Sequence, residues 1–149
     1  MFYWLIDYSI RNHLITAFMA IIDIRNGKVI YSNAGHNSPL IGNPESGYEY
    51  LETEHDIFLG GFENNIYTRY ETTIRPGDRI LLYTDGITEA MNPDGELYGY
   101  ERLRKFMNRS AGSTDEVLEL LKKDVDLFHN GAERNDDETV LLFELKDSY

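Results

Sequence analysis

Apolar and polar positions along this chain change their period just past Glu89, from strand-like to helix-like, and return to a strand pattern at 139–145. Residues 15–24 (Ile15-Thr16-Ala17-Phe18-Met19-Ala20-Ile21-Ile22-Asp23-Ile24) are apolar on both faces, which predicts a strand buried between layers. Arg25-Asn26-Gly27-Lys28 then offers Asn-Gly, the preferred pair for a two-residue type I′ turn, so the strand at 29–33 is expected to pair antiparallel with the one before it. Residues 34–39 break the pattern and 40–42 resume it briefly. A turn at 43–47 leads to 48–51, which alternate like an edge strand. Gly60-Gly61 marks a loop, and 67–74 read as a half-exposed strand. Arg75-Pro76-Gly77-Asp78 is a tight turn with proline at its second place, feeding the apolar strand at 80–83.

Beyond a turn at Asn92-Pro93-Asp94-Gly95, residues 100–107 predict a short helix burying Leu103, Phe106 and Met107. Ser113-Thr114-Asp115-Glu116 is a capping box that starts a second helix. Val117, Leu118, Leu121, Val125 and Phe128 give that helix one apolar stripe, and Asn130-Gly131 ends it. The last strand, 139–145, is again apolar on both faces. Residues 1–16 show no clean period and read as a short helix or an irregular lead-in. Repeats, low-complexity tracts and linkers are absent, so 149 residues are expected to form one domain, 1–149, that buries roughly two thirds of its surface.

Composition narrows the chemistry. Cysteine is absent, which excludes disulfides and thiolate metal sites and favours an intracellular origin. The apolar opening at 1–6 is interrupted by Asp7 and Arg11 far short of a membrane span, and it lacks the basic start of a signal peptide. The reading is a soluble cytoplasmic protein. A formal charge of −12 argues against nucleic acid, because nothing here neutralises a row of phosphates. Such a charge suits carboxylates gathered around cations, or a basic partner face, while plain solubility accounts for most of it.

The candidate chemistry lies where strands meet acids. Arg79-Ile80-Leu81-Leu82-Tyr83 runs straight into Thr84-Asp85-Gly86, with Glu89 four residues after Asp85. Read from spacing alone, this is also an ordinary polar turn after a strand. Asp136 stands at the start of the last strand, so antiparallel pairing of 80–83 with 139–145 would bring Asp85 and Asp136 to one edge of a sheet. Asp85, Asp136 and Glu89 would form an all-oxygen cluster, which suits Mg²⁺ or Mn²⁺ rather than zinc. Gly86 lets the chain turn without a side chain intruding.

Tyr83-Thr84-Asp85-Gly86-Ile87-Thr88-Glu89-Ala90, followed by Glu96-Leu97-Tyr98-Gly99 and Arg102-Leu103, resembles the metal-dependent (PPM, type 2C-like) protein phosphatases of the bacterial SpoIIE/RsbU branch. Asn33-Ala34-Gly35-His36-Asn37-Ser38-Pro39-Leu40 is similar to that branch's other hallmark, and Asp136-Asp137-Glu138-Thr139-Val140 to its closing metal-binding motif. The resemblance runs from about residue 15 to 145. It implies an α+β sandwich of antiparallel sheets flanked by helices, and hydrolysis of phosphoserine or phosphothreonine with two Mn²⁺ or Mg²⁺ ions. The implied partner is a phosphorylated STAS-domain (anti-anti-sigma) protein in stress or developmental signalling.

By the same resemblance Asp85 and Asp136 fall on metal ligands and Glu89 on an acid that helps hold a third ion. His36 falls where distant relatives carry an Asp after the Gly, against the alternative of a hydrogen-bonded structural histidine. Asp137 and Glu138 read as solvated neighbours. The family's early bridging Asp and its Asp-x-x-Gly-His-Gly-like segment have no counterpart before Ile15, and Asp7 has no glycine after it. The chain is therefore expected to be the C-terminal part of the domain, with a weakened metal centre and exposed sheet edges that favour a homodimer or other self-association. The competing expectation is a non-catalytic module that keeps the scaffold and binds a regulatory partner.

Overall fold

The computed structural model describes residues 15–53, 57–62, 64–134 and 136–146. Most of the lead-in expected at 1–16, Asp7 included, lies outside them. The described chain divides into two compact units that alternate along the sequence, one from residues 15–38 and 52–75, the other from 39–51 and 76–146. Among the described residues no helix is long and apolar enough to cross a membrane.

The first unit is an antiparallel sheet of β1 (Ala17–Asp23), β2 (Lys28–Ala34) and β5 (Tyr70–Thr73) in the order β1-β2-β5. Phe18 faces Asn33 and Ile22 faces Val29 across the β1–β2 ladder, so Phe18, Ala20 and Ile22 share a face with the buried Val29, Tyr31 and Asn33. Tyr31 stacks on Tyr70 with ring centroids 5.3 Å apart. The opposite face of β1 departs from the expectation of burial on both sides: Met19 is 71% and Ile21 68% exposed.

The hairpin pairs as expected, but its loop has four residues, 24–27, rather than two. Asp23 is the physical reason. Its carboxylate accepts from the backbone N–H and Nε of Arg25, both at 3.0 Å, and its carbonyl accepts from the Gly27 N–H at 2.7 Å. Only Gly27 of the Asn-Gly pair takes a positive φ, +72°. A Cβ there would lie 1.8 Å from the Ile74 carbonyl oxygen, so glycine is required.

The second unit is a four-stranded antiparallel sheet in the order β4-β3-β6-β7, made of β3 (Leu40–Asn43), β4 (Gly47–Tyr50), β6 (Arg79–Tyr83) and β7 (Val140–Glu144). Three helices accompany it: α1 (Asp85–Thr88), α2 (Gly99–Arg109) and α3 (Thr114–His129). Leu40, Leu81 and Tyr83 from the sheet pack with Leu103 and Met107 of α2 and Val117, Leu121 and Val125 of α3 in one core. Each such fully buried aliphatic side chain contributes about 1.5–3 kcal/mol relative to exposure. Ser113 and Glu116 form the capping box, and Asn130 closes α3 in the left-handed conformation at φ +45°. The expectation of a last strand buried on both faces is corrected at Leu141, which is 54% exposed: it lies with Leu82 on the face opposite Val140 and Leu142, which pack against the core shared with α2 and α3. The single helical turn α1 stands where the sequence predicts only a turn on glycine.

Candidate active site

β6 and β7 are antiparallel neighbours, with Tyr83 opposite Val140. Their pairing continues one residue further. The Thr84 N–H donates to the Thr139 carbonyl at 3.0 Å, and the Thr139 N–H donates back to the Thr84 hydroxyl oxygen at 3.0 Å. The same hydroxyl donates to the Asp137 carbonyl at 2.9 Å. One threonine thus uses its backbone and both capacities of its hydroxyl to fasten the end of β6 to the segment entering β7.

Asp85 follows at once, as the first residue of α1. Its Oδ1 accepts from the Gly86 N–H at 3.1 Å, while the side chain stays exposed. Gly86 is buried, and a Cβ on it would lie 2.5 Å from the Asp137 carbonyl oxygen and 2.9 Å from its carbon. Glycine at 86 is therefore what lets the Asp85 turn and the Asp136–Glu138 backbone approach this closely. Glu89 caps the C-terminal end of α1, its N–H donating to the Asp85 carbonyl at 2.7 Å. Asp136 is exposed, with its Oδ1 accepting from the Asp137 N–H at 2.7 Å.

The fold brings the segments carrying Asp85, Gly86, Glu89 and Asp136 to one end of the second unit. His36 belongs to the first unit, where the Asn33 side chain accepts from its N–H and donates to its carbonyl, both at 2.8 Å; its Nδ1 lies 3.3 Å from the Thr16 hydroxyl. Among the described residues, no three or more His, Asp or Glu side chains are gathered closely enough to hold a metal ion. The side chains these segments carry, Asp85, Glu89 and Asp136, are carboxylates, oxygen ligands of the kind hard divalent cations take.

Two neighbours of the site were not legible as such. Glu138, expected to be solvated, is only 12% exposed at its side chain. Its Oε1 lies 2.8 Å from His129 Nε2, and its Oε2 accepts from Arg134 at 3.1 Å. His129, the last residue of α3, is 5% exposed, and no sequence motif marks it. The signal available was a histidine on the same helical face as Val125 and Leu121, at i+4 and i+8 from them, inside an otherwise apolar stripe. Tyr83, at the end of β6, is no candidate base: burial first, then the Tyr50 hydroxyl, push its phenol well above the ordinary tyrosine range, and burial likewise pushes Tyr50 up to about 12.

The family model of Stage II sporulation protein E (SpoIIE) matches residues 5–146. The chain belongs to the SpoIIE family. Protein IcfG of Synechocystis sp. is 32% identical over 140 residues, covering 91% of this chain and 22% of that protein. Phosphoserine phosphatase RsbP of Bacillus subtilis is 28% identical over 135 residues, covering 90% of this chain and 32% of that protein. The SiaA-PP2C domain of Pseudomonas aeruginosa superposes with a TM-score of 0.76 at 21% identity, over 87% of this chain and 51% of that one. The SpoIIE-family chain is thus α+β, with antiparallel sheets and helices arranged as in PP2C phosphatase domains. It spans about half the length of the solved domain and a third or less of the two curated relatives.

Proposed function

We propose that this chain carries part of the active site of a Mn²⁺- or Mg²⁺-dependent protein phosphatase that removes phosphate from phosphoserine or phosphothreonine on a STAS-type anti-anti-sigma partner. The observation that carries the reading is the β6–β7 pairing, which joins the Asp85 turn to the Asp136–Glu138 segment through Thr84, Thr139 and Gly86. Membership of the SpoIIE family, and similarity to the phosphoserine phosphatase RsbP, support the reaction class. Asp85 and Asp136 would hold the ions, with Glu89 as a further carboxylate toward a third. When bound, such ions supply a hydroxide near neutral pH and neutralise the phosphoryl oxygens. The chain's own contribution is positional. Thr84 fixes where Asp85 leaves the sheet, and Gly86 keeps the opposing backbone within reach.

The test is a calorimetric Mn²⁺ titration of a protein containing this chain, paired with phosphate release from a phosphorylated STAS-domain substrate. Asp85→Asn is expected to weaken Mn²⁺ binding by at least about tenfold, the lower end of what loss of even an outer-shell partner costs, and to abolish release. Wild-type affinity and turnover in that variant would sink the assignment. Metal-independent capture of the STAS partner without turnover would favour the scaffold-module reading instead.

A further inference from the structure

We propose that His129 is a positioning residue for the candidate metal-binding end, joining the loop after Glu89 to the segment that carries Asp136. The proposal rests on the functional reading above. His129 Nδ1 lies 3.1 Å from the Met91 carbonyl oxygen, and Nε2 lies 2.8 Å from Glu138 Oε1. Met91 is two residues beyond Glu89, and Glu138 is two residues beyond Asp136. A single imidazole therefore spans the two segments on which the candidate ligands ride. Because the ring is rigid, its two nitrogens fix the separation of those segments in a way a flexible side chain would not.

The ring's surroundings argue against simple packing. His129 follows Val117, Leu121 and Val125 on the buried face of α3, where a leucine would fill the same place without burying two polar nitrogens. A polar group kept in an apolar stripe fits a geometric role, as buried polar residues that set register do in some other folds. Glu138 is held from a second side, since Arg134 donates to its Oε2 at 3.1 Å and also pairs with Asp126 of α3. On the other segment, the Tyr98 N–H donates to the Ala90 carbonyl at 2.8 Å, so Met91 is itself anchored. His129 thus connects two braced segments.

The experiment compares wild type, His129→Leu, Glu138→Gln and the double variant in a protein containing this chain. Amide hydrogen exchange without metal and Mn²⁺ affinity by calorimetry are both recorded. In His129→Leu the Thr84 and Thr139 amides, whose bonds tie the two segments, are expected to exchange at least about tenfold faster while the β3 amides keep their rates. Mn²⁺ affinity is expected to fall about tenfold, as for loss of an outer-shell partner. The double variant is expected to be no worse than His129→Leu, because both changes remove one connection. Leu121→Ala serves as the structural control: it lowers the thermal midpoint but leaves the Mn²⁺ affinity of the folded protein unchanged. His129→Leu with wild-type exchange and affinity overturns the proposal, as does an equal affinity loss in Leu121→Ala. Wild-type protein that takes up no Mn²⁺ overturns the functional reading itself. The exchange rates alone then decide the connection, and unchanged rates overturn it too.

Discussion

A methyl group at position 86 would sit 2.5 Å from the Asp137 carbonyl oxygen, and that carbonyl is already committed to the Thr84 hydroxyl. Gly86→Ala is therefore expected to cost about 1–3 kcal/mol, as overpacking does, and to weaken Mn²⁺ binding by moving Asp136 away from Asp85. Urea unfolding and calorimetry check the two parts. Gly95→Ala is the informative contrast: φ is +80° but no atom lies within 4 Å of the added carbon, so only about 1–2 kcal/mol of left-handed backbone strain is expected, with metal affinity intact. Equal effects at both glycines would mean that close approach at 86 does not organise the site. At this scale the sequence was readable where the cause was local. Asp85 and Gly86 are adjacent, and a strand running into Asp-Gly announces itself. Glu138 was misread because its sequence neighbours are acids, whereas its partner is a histidine nine residues earlier on a different element.

Among the elements, α3 was the most legible because its start is written within four residues. The Ser113 N–H and hydroxyl both donate to Glu116 Oε2, at 2.8 and 2.9 Å, and the Glu116 N–H lies 3.3 Å from the Ser113 hydroxyl. Ser113→Ala is expected to cost about 1 kcal/mol, or roughly 2–4 °C in thermal midpoint for a chain of this size. The Ser113 backbone N–H, then its hydroxyl, hold the Glu116 carboxyl below its ordinary value of 4.5. A depressed folded value makes the stabilisation complete above the unfolded value and lost as pH falls through the folded one. The stability gap between wild type and Glu116→Gln is thus expected to be constant near neutrality and to close below about pH 4.5. Denaturant unfolding across acid pH measures it, and a gap that widens on acidification would contradict the capping assignment. The β1–β2 loop was less legible. Asn-Gly favours two residues, but Asp23 captures the turn and Ile74 approaches Gly27, and neither contact is visible from the turn's own sequence. Exposure of one face of β1 was hidden for the same reason, since apolar residues reveal a preference for burial but not whether a neighbour is there to satisfy it.

For the whole molecule, two forces oppose each other. Among the described residues β1 has a strand on one side only and turns Met19 and Ile21 outward, an arrangement that invites pairing with a second copy. A charge of −12 repels that copy. Association is therefore expected to strengthen from low salt to about 1 M salt, where the Debye length is ~3 Å, and Ile21→Lys is expected to abolish it. Sedimentation velocity reads both, and a chain that is monomeric at every salt concentration would contradict the edge argument. The β6–β7 connection has a different consequence, one of timing. Thr84 and Thr139 are 55 residues apart, and at synthesis rates of about 5–20 residues per second the first waits roughly 3–11 s for the second. Throughout that interval Asp85 exists on the nascent polypeptide without the strand that completes its surroundings. On the proposed function, cation uptake therefore waits on the synthesis of β7.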